Sequence, residues 1–400
     1  MQVLHSPRAL GALLTATLVA SCASSGTRPM VRPPAFPVTL DGVSGQDFEV
    51  EVPVTGRYRL TLDVAVEDPG SFWVEDYVGN DDGRTYDITG PLDAESGGEK
   101  VFTVDGSPLQ AGTHQMRMHG SGAAEVRSLV LELLREHEIT PVTMEQNMVG
   151  DSPWKVVWFD EFNGSGLPDS SKWTHDLGDW GWGNREPQYY TDGDKRNARQ
   201  ENGVLVIEAR PGDDRRPWTS ARLTTRGKVS FLYGRIEIRA QVPGTDGTWA
   251  AGWTLGDDYR DEVSWPYCGE IDIMEAVGRE IDDASGDGIN HGSCHTRAYY
   301  FKQGNHISNT IPVEGMADEF HVYACEWDKD EVRMYVDDVH YYTYSQHESP
   351  EAWPFDRPQN LILNLAMGGG MGGAIDPKAS KFGATPQRIL VDYVRVLGRR

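Results

Sequence analysis

The chain has 400 residues, enough for two domains or for one small and one large, and it carries 61 acidic against 37 basic side chains, a formal net charge of −24. That surplus argues against nucleic acid or an anionic membrane surface as the partner and leaves neutral or basic ligands open. Glycine (44), tryptophan (12) and tyrosine (16) are plentiful, as expected of a turn-rich β protein that offers flat apolar rings for binding.

In chain order, a short n-region with His5 and Arg8 precedes an apolar run from Ala9 to Ala20 that is short for a membrane span and reads as a processing signal. It closes on Val19-Ala20-Ser21-Cys22, which resembles a bacterial lipoprotein box; residues 1–21 would then be the signal peptide and Cys22 the lipidated first residue of the mature chain. An ordinary signal peptide with a chance cysteine is the alternative. No Asp follows Cys22, so the resemblance implies an exported lipoprotein of the outer membrane or cell surface. Residues 22–36, with Pro29, Pro33 and Pro34, read as a flexible tether. Beyond Cys22 the cysteines Cys268, Cys294 and Cys325 are odd in number, so at least one is unpaired and no pairing is assigned.

From 37 to 136, short alternating segments such as Arg57 to Val64 and His114 to Met118 are separated by Gly56, Asp105-Gly106 and Gly112, the pattern of a small antiparallel β-sandwich. GRYRLTLDVA, LQAGTHQMRMHG and SLVLELL loosely resemble the jelly-roll carbohydrate-binding modules that accompany polysaccharide-degrading enzymes. Trp73, Tyr77 and Tyr86 are candidate sugar platforms, with buried core or a plain spacer domain as alternatives. Residues 137–152, with Pro141 and Gly150, read as a linker.

The second unit, 153–400, opens with WKVVWFDEFNG and closes with VDYVRVLG, two strands expected to pair, and nearly every segment between them alternates or is rich in β-branched and aromatic residues. No long period-3.6 segment and no internal repeat occurs, so an all-β, two-sheet sandwich is expected. Its most informative stretch is GEIDIMEAVG, Gly269 to Gly278. As a helix, at about 100° per residue, it would scatter Glu270, Asp272 and Glu275 around the axis. As a strand it puts Glu270 and Asp272 on one face and Ile271 and Ile273 on the other, and a β-bulge near Met274 returns Glu275 to the acidic face. An edge strand made soluble by its acids is the bland alternative.

The pattern W-P-x-C-G-E-I-D-I-M-E from Trp265 to Glu275, with GWGNREPQYYT, TSARLTTRGKVSFLYGRIEIRAQVP, FHVYACEWDKDEVRMYVDD and VDYVRV in the same order, resembles glycoside hydrolase family sixteen in its laminarinase-like form, over Trp154 to Leu397. The resemblance implies a concanavalin-like β-jelly-roll whose concave sheet forms a polysaccharide cleft, and hydrolysis within a β-1,3-glucan or mixed-linkage β-1,3-1,4-glucan with retention of configuration. Glu270 would be the nucleophile, Glu275 the acid/base and Asp272 a helper that keeps their proton affinities apart. Asn184, Glu186, Arg222, Trp249, Trp253 and Trp265 match positions that line the cleft, and His295 would face it near Glu275. No cofactor is required; a structural calcium held by Glu161, the Gly203 carbonyl and Asp392 is a further implication, against the alternative that both acids merely finish strands. A zinc site at His291, Cys294 and His295 is disfavoured, since the two histidines stand ~13 Å apart on a strand. The glycine run Met367 to Gly373 lacks the Lys-Ser/Thr and the helix of a phosphate cradle and fits close approach to substrate or a mobile turn. Related laminarinases usually carry Asn-Trp where this chain has Gly370-Met371, which bears on the preferred glucan. The expected partner is β-glucan, bound by a monomer anchored through Cys22. Competing readings are a catalytically silent glucan-binding surface protein, an agarase- or carrageenase-like galactanase, and a transglycosylase that intercepts the covalent intermediate with sugar.

Overall fold

Alternation of apolar and polar residues is what builds both halves of the molecule. In GRYRLTLDVAV, the strand Gly56–Val66, the side chains of Tyr58, Leu60, Leu62, Val64 and Val66 are buried while those between them are partly open. The computed structural model describes residues 28–80, 83–147, 154–376, 378–379 and 387–399, and Cys22 lies outside them. Among the described residues the N-terminal sandwich has two five-stranded sheets. One orders Met30–Val31, Ala123–Glu136, Gly56–Val66 and Gly98–Leu109, with Val38–Asp41 also on Ala123–Glu136; the other is built around Gln46–Val52, Gly112–Gly120 and Gly70–Asp76. No described helix is long and apolar enough to cross a membrane.

Two expected boundaries shift. Met30–Val31 pairs with Glu132 and Leu131, so residues expected in the tether belong to the sandwich. The expected linker is not free either, because Thr143–Glu145 adds as a parallel strand to Ser230–Leu232 of the second sandwich. Two- and three-residue strands are too short to show a period, and their partners are what order them.

In the second sandwich the ends of the unit meet as expected: Lys155–Asp160 lies antiparallel to Gln387–Gly398, from Lys155 opposite Gly398 to Asp160 opposite Val394. That closing strand runs through the outer sheet. The inner sheet carries β1 (Thr248–Gly256), β2 (Glu270–Val277), β3 (Gly288–His295) and β4 (Gln359–Met367) in the order β4-β1-β2-β3. Between the sheets lies an apolar core in which Trp158 meets Trp173 and Phe231 edge-on at 5.7 and 5.5 Å, alongside Ile271, Ile273, Leu363 and Val394. Each such buried side chain contributes about 1.5–3 kcal/mol. Cys268, Cys294 and Cys325 are buried free thiols.

The two sandwiches share a core. Trp180, Trp182 and Tyr190 of the second unit pack into the apolar cluster of the first. At the seam the Asp179 amide donates to the Asp105 carbonyl at 2.9 Å, and the Asp105 amide donates to the Asp179 carboxylate at 2.8 Å. The backbones come so near that a Cβ on Gly106, whose φ is +89°, would lie 2.2 Å from the Leu177 carbonyl oxygen. Only glycine accommodates both the approach and the left-handed backbone there.

Candidate active site

The strand β2 breaks its ladder where the sequence requires. Against β1 the register runs Asp272 opposite Trp253 and then Met274 opposite Gly252, which leaves Ile273 as the extra residue of a bulge. Ile271, Ile273 and Met274 are fully buried in the core, and Glu270, Asp272 and Glu275 all line a cleft of about 440 Å³ on the other side. On the opposite flank β3 pairs with β2 only from Glu270–His295 to Asp272–Ser293. Past that point the Asn290 side chain takes over: its Oδ1 accepts the Glu275 amide at 3.1 Å and its Nδ2 donates to the Ile273 carbonyl at 3.3 Å. A side-chain amide thereby satisfies the backbone groups that the bulge strips of ladder partners.

Each acid has its own surroundings. Glu270 Oε2 accepts the Trp265 indole N–H at 2.8 Å, and Glu275 Oε1 accepts that of Trp249 at 3.0 Å. Asp272 Oδ2 accepts the Ser293 hydroxyl at 2.6 Å and faces His295 Nε2 at 3.3 Å, which also stands 3.8 Å from Glu270. Burial, followed by the Asp272 charge, pushes Glu270 and Glu275 up to about 8. The two are not equivalent. His295 and the Trp265 N–H favour an ionised Glu270 against the charges of Asp272 and Glu275, whereas at Glu275 the Trp249 N–H does so alone against those of Asp272 and Glu280. A proton held by the group therefore favours Glu275. Burial opposes protonation of His295, yet the Asp272 and Glu270 carboxylates push its pKa up; His306, stacked on it at 4.3 Å, is pushed down to about 4 by burial and the His295 charge.

The walls supply rings and forks. Trp249, Trp253 and Trp265 are half-buried in the cleft, and Trp253 donates to Asn364 Oδ1 at 2.7 Å. The Arg222 guanidinium lies between the Trp182 and Trp253 rings, 4.8 and 4.7 Å from their centroids, with its Nε 3.2 Å from Asp176. Asn184 donates to Glu186 at 3.2 Å, and the Glu186 carboxyl also receives Gln188 at 2.6 Å; burial pushes Glu186 up. The glycine run makes a single helical turn, Gly369–Gly372, beside this pair. Gly369, at φ +70°, leaves little room for a Cβ, which would sit 2.9 Å from the Glu186 side chain, so the close approach seen here is to Glu186.

Several expectations change in detail. His295 faces Glu270 and Asp272 rather than Glu275, because the β2–β3 register sets it opposite Glu270. The histidine–cysteine zinc reading fails because alternation along β3 turns Cys294 into the core while His291 and His295 line the cleft. Donor atoms of Glu270, Asp272 and His295 do lie within 4.8 Å of one another, but Asp272 already receives Ser293 and the cluster reads as a proton-sharing group. The calcium expectation does not fit the residues present: both Glu161 oxygens receive Arg395, at 2.7 and 2.8 Å, and Asp392 pairs with Arg239 at 2.6 Å. These carboxylates are already neutralised on a face of the outer sheet, and Gly203 marks a turn at φ +80°. Of the platforms considered in the first sandwich, Tyr86 is buried, Tyr77 bonds across the domain seam, and Trp73 stacks on His119 at 4.7 Å. Sequence reasoning missed Ser293, Asn290 and Asn364, although the two-residue period of HGSCH and of NLILNLAM places Ser293 and Asn364 on the cleft face.

Residues 185–395 match the model of the Glycosyl hydrolases family 16. The β-glucanase of Rhodothermus marinus is 48% identical over 253 residues, which cover 61% of this chain and 85% of that protein. The crystal structure of the laminarinase from Rhodothermus marinus superposes with a TM-score of 0.58 at 44% identity, over 63% of this chain and all of that one. A non-specific endo-β-1,3(4)-glucanase co-crystallised with 1,3-β-D-cellotriosyl-glucose gives 0.55 at 35% identity, over 64% of this chain and 97% of that one.

Proposed function

Since this chain belongs to family 16 of the glycosyl hydrolases, we infer that it is a retaining endo-β-1,3-glucanase in which Glu270 and Glu275 divide the chemistry. The observation that carries the division is the bulge, which delivers two unequal glutamates to one cleft wall with Asp272 between them. Glu270, ionised and steadied by the Trp265 N–H, attacks the anomeric carbon as Glu275 gives its proton to the leaving glycosidic oxygen. The glycosyl-enzyme ester then forms, and a water enters on the departed side. Glu275, now a carboxylate, takes a proton from that water as it attacks, and Glu270 leaves with the configuration retained.

Asp272 assists electrostatically. Its charge raises the proton affinity of Glu275, which keeps the acid loaded near neutral pH, and Ser293 and His295 hold its carboxylate in place. Trp249, Trp253 and Trp265 offer ring faces to the apolar side of glucose units, and Arg222, Asn184 and Glu186 offer polar groups to the hydroxyl rim.

The deciding experiment is a product profile on laminarin, lichenan, agarose and carrageenan, with the anomer of the first product read by proton NMR. Short β-anomeric oligosaccharides from laminarin and none from the galactans are expected; an α-anomeric first product would overturn the double displacement. Surface anchoring through Cys22 is part of the same proposal, supported by the lipobox-like motif alone. Cys22→Ser should then move the protein from the membrane fraction to the soluble one.

A further inference from the structure

The loop from Asp257 to Gly269, between β1 and β2, carries Tyr259, Glu262 and Trp265 to the cleft, and its outer side is held by the N-terminal sandwich. Tyr77 donates its hydroxyl to Asp261 Oδ2 at 2.5 Å, and Gln110 donates to Asp261 Oδ1 at 3.0 Å. Asp261 is 1% exposed, so both bonds are made out of water, where a lost partner is costly. Arg84 donates to the Trp265 carbonyl and lays its guanidinium over Tyr86 and Tyr267, at 5.0 and 5.5 Å. Tyr77 itself takes φ +61°, a conformation that a bulky residue adopts only when its surroundings impose it. On the cleft side of the same loop the Trp265 indole N–H holds Glu270.

A second strut reaches the opposite wall. Arg57 of the first sandwich donates to Asp176 Oδ1 at 3.1 Å and lies 5.4 Å from the Trp182 ring. Asp176 Oδ2 faces Arg222, whose guanidinium is the one stacked between Trp182 and Trp253. Both struts start from buried or half-buried side chains of the first sandwich and end at groups that touch the cleft.

A carbohydrate-binding module that merely delivers the enzyme to its polymer predicts a free linker and open aromatic platforms. Here Thr143–Glu145 of the connecting segment is a paired strand, and two of the three candidate platforms, Tyr77 and Tyr86, are spent on the seam. We propose that the N-terminal sandwich is a structural part of the active site, with Arg84 and Tyr77 as positioning residues that set Trp265 and, through it, the nucleophile Glu270. This rests on the assignment of Glu270 as nucleophile made above.

The test uses the full-length protein with Arg84→Ala, Arg84→Lys and Tyr77→Phe, assayed for kcat and KM on a soluble laminari-oligosaccharide across pH. The groups facing Glu270 are Asp272 and Glu275 on its own strand, His295 on β3, and the Trp265 N–H from the loop. Loosening that N–H withdraws support from the ionised nucleophile, so the acidic limb of kcat/KM should move to higher pH, with kcat down about tenfold and KM little changed. Arg84→Lys keeps a donor for the carbonyl and should restore part of the loss. Tyr77→Phe removes one oxygen from the seam and should shift the limb in the same direction by less; it decides the matter if Arg84→Ala does not fold. A wild-type pH profile and kcat in the folded variants overturns the proposal. So does a loss confined to binding of insoluble glucan, which would make the sandwich an independent binding module. A wild-type protein inactive on every β-1,3-glucan overturns instead the functional reading beneath it.

Discussion

Two carboxylate sites in the same sandwich show that burial alone does not decide what an acid is for. Asp176 at the domain seam is buried and Glu275 in the cleft partly so, and burial pushes each toward its neutral form. At Asp176 the arginines Arg57, Arg222, Arg226 and Arg135 overcome that push and hold the carboxyl well below its usual range. At Glu275 the neighbours are Asp272 and Glu280, the push is reinforced, and the group rises to about 8. One is built to stay charged and hold two domains together; the other is built to hold and release a proton. Glu161 on the outer sheet, half-exposed, is also held below its usual range, by its hydrogen bonds from Arg395.

The largest effect expected from this contrast is catalytic. Glu275→Gln keeps the shape of the cleft and removes the proton, and Glu270→Gln removes the nucleophile. Turnover of laminarin should fall by roughly 10³-fold or more in each, with glucan binding by calorimetry preserved. Retained turnover in either variant would sink the assignment.

At the other site the damage should be to stability. Asp176→Asn leaves Arg57 and Arg222 buried without their counter-charge, and breaking a buried pair of this kind costs about 3–5 kcal/mol. Denaturant unfolding should register the loss, whereas an equally stable variant would mean that water reaches the seam and screens the arginines.

The cleft strand was legible because its physics is periodic. Alternation puts Ile271 and Ile273 on one face, and only a bulge brings Glu275 back to join Glu270 and Asp272. What seals that bulge was not legible: Asn290 reaches from another strand to replace a ladder bond, and no spacing along the chain announces it. The seam was hidden for a similar reason. Arg57 and Asp176 lie 119 residues apart and look, one at a time, like ordinary surface charges. Residues 137–152 read as a linker because a three-residue strand gains its identity only from its partner, Ser230–Leu232.

A smaller and more directional effect belongs to Asp272. Its negative charge is the largest cause after burial of the raised proton affinity of Glu275. In Asp272→Asn that charge is gone and Glu275 gives up its proton more readily, so the basic limb of kcat/KM should move to lower pH, by about one unit. An unmoved basic limb would assign that limb to another group and leave Asp272 a purely geometric role.

The smallest effect expected is on stability in the cleft, and its sign separates the two sites most cleanly. Glu275 binds its proton more tightly folded than unfolded, so its contribution is fully present below the unfolded value near 4.5 and is lost as pH rises toward about 8. Asp176 behaves oppositely: its contribution is present above the unfolded value of 3.8 and is lost as pH falls below it. Glu275→Gln should therefore melt close to the wild type at pH 5 and above it at pH 8. The gain should be on the order of 1–2 kcal/mol, because the cleft remains open to water, which relieves part of the desolvation, and that corresponds to about 2–4 °C per kcal/mol in a domain of this size. Such a variant, inactive yet more stable, is what a site strained for catalysis predicts. A Glu275→Gln protein that melts below the wild type at pH 8 would mean that the ionised glutamate is well solvated and that its proton is held by something other than burial and Asp272.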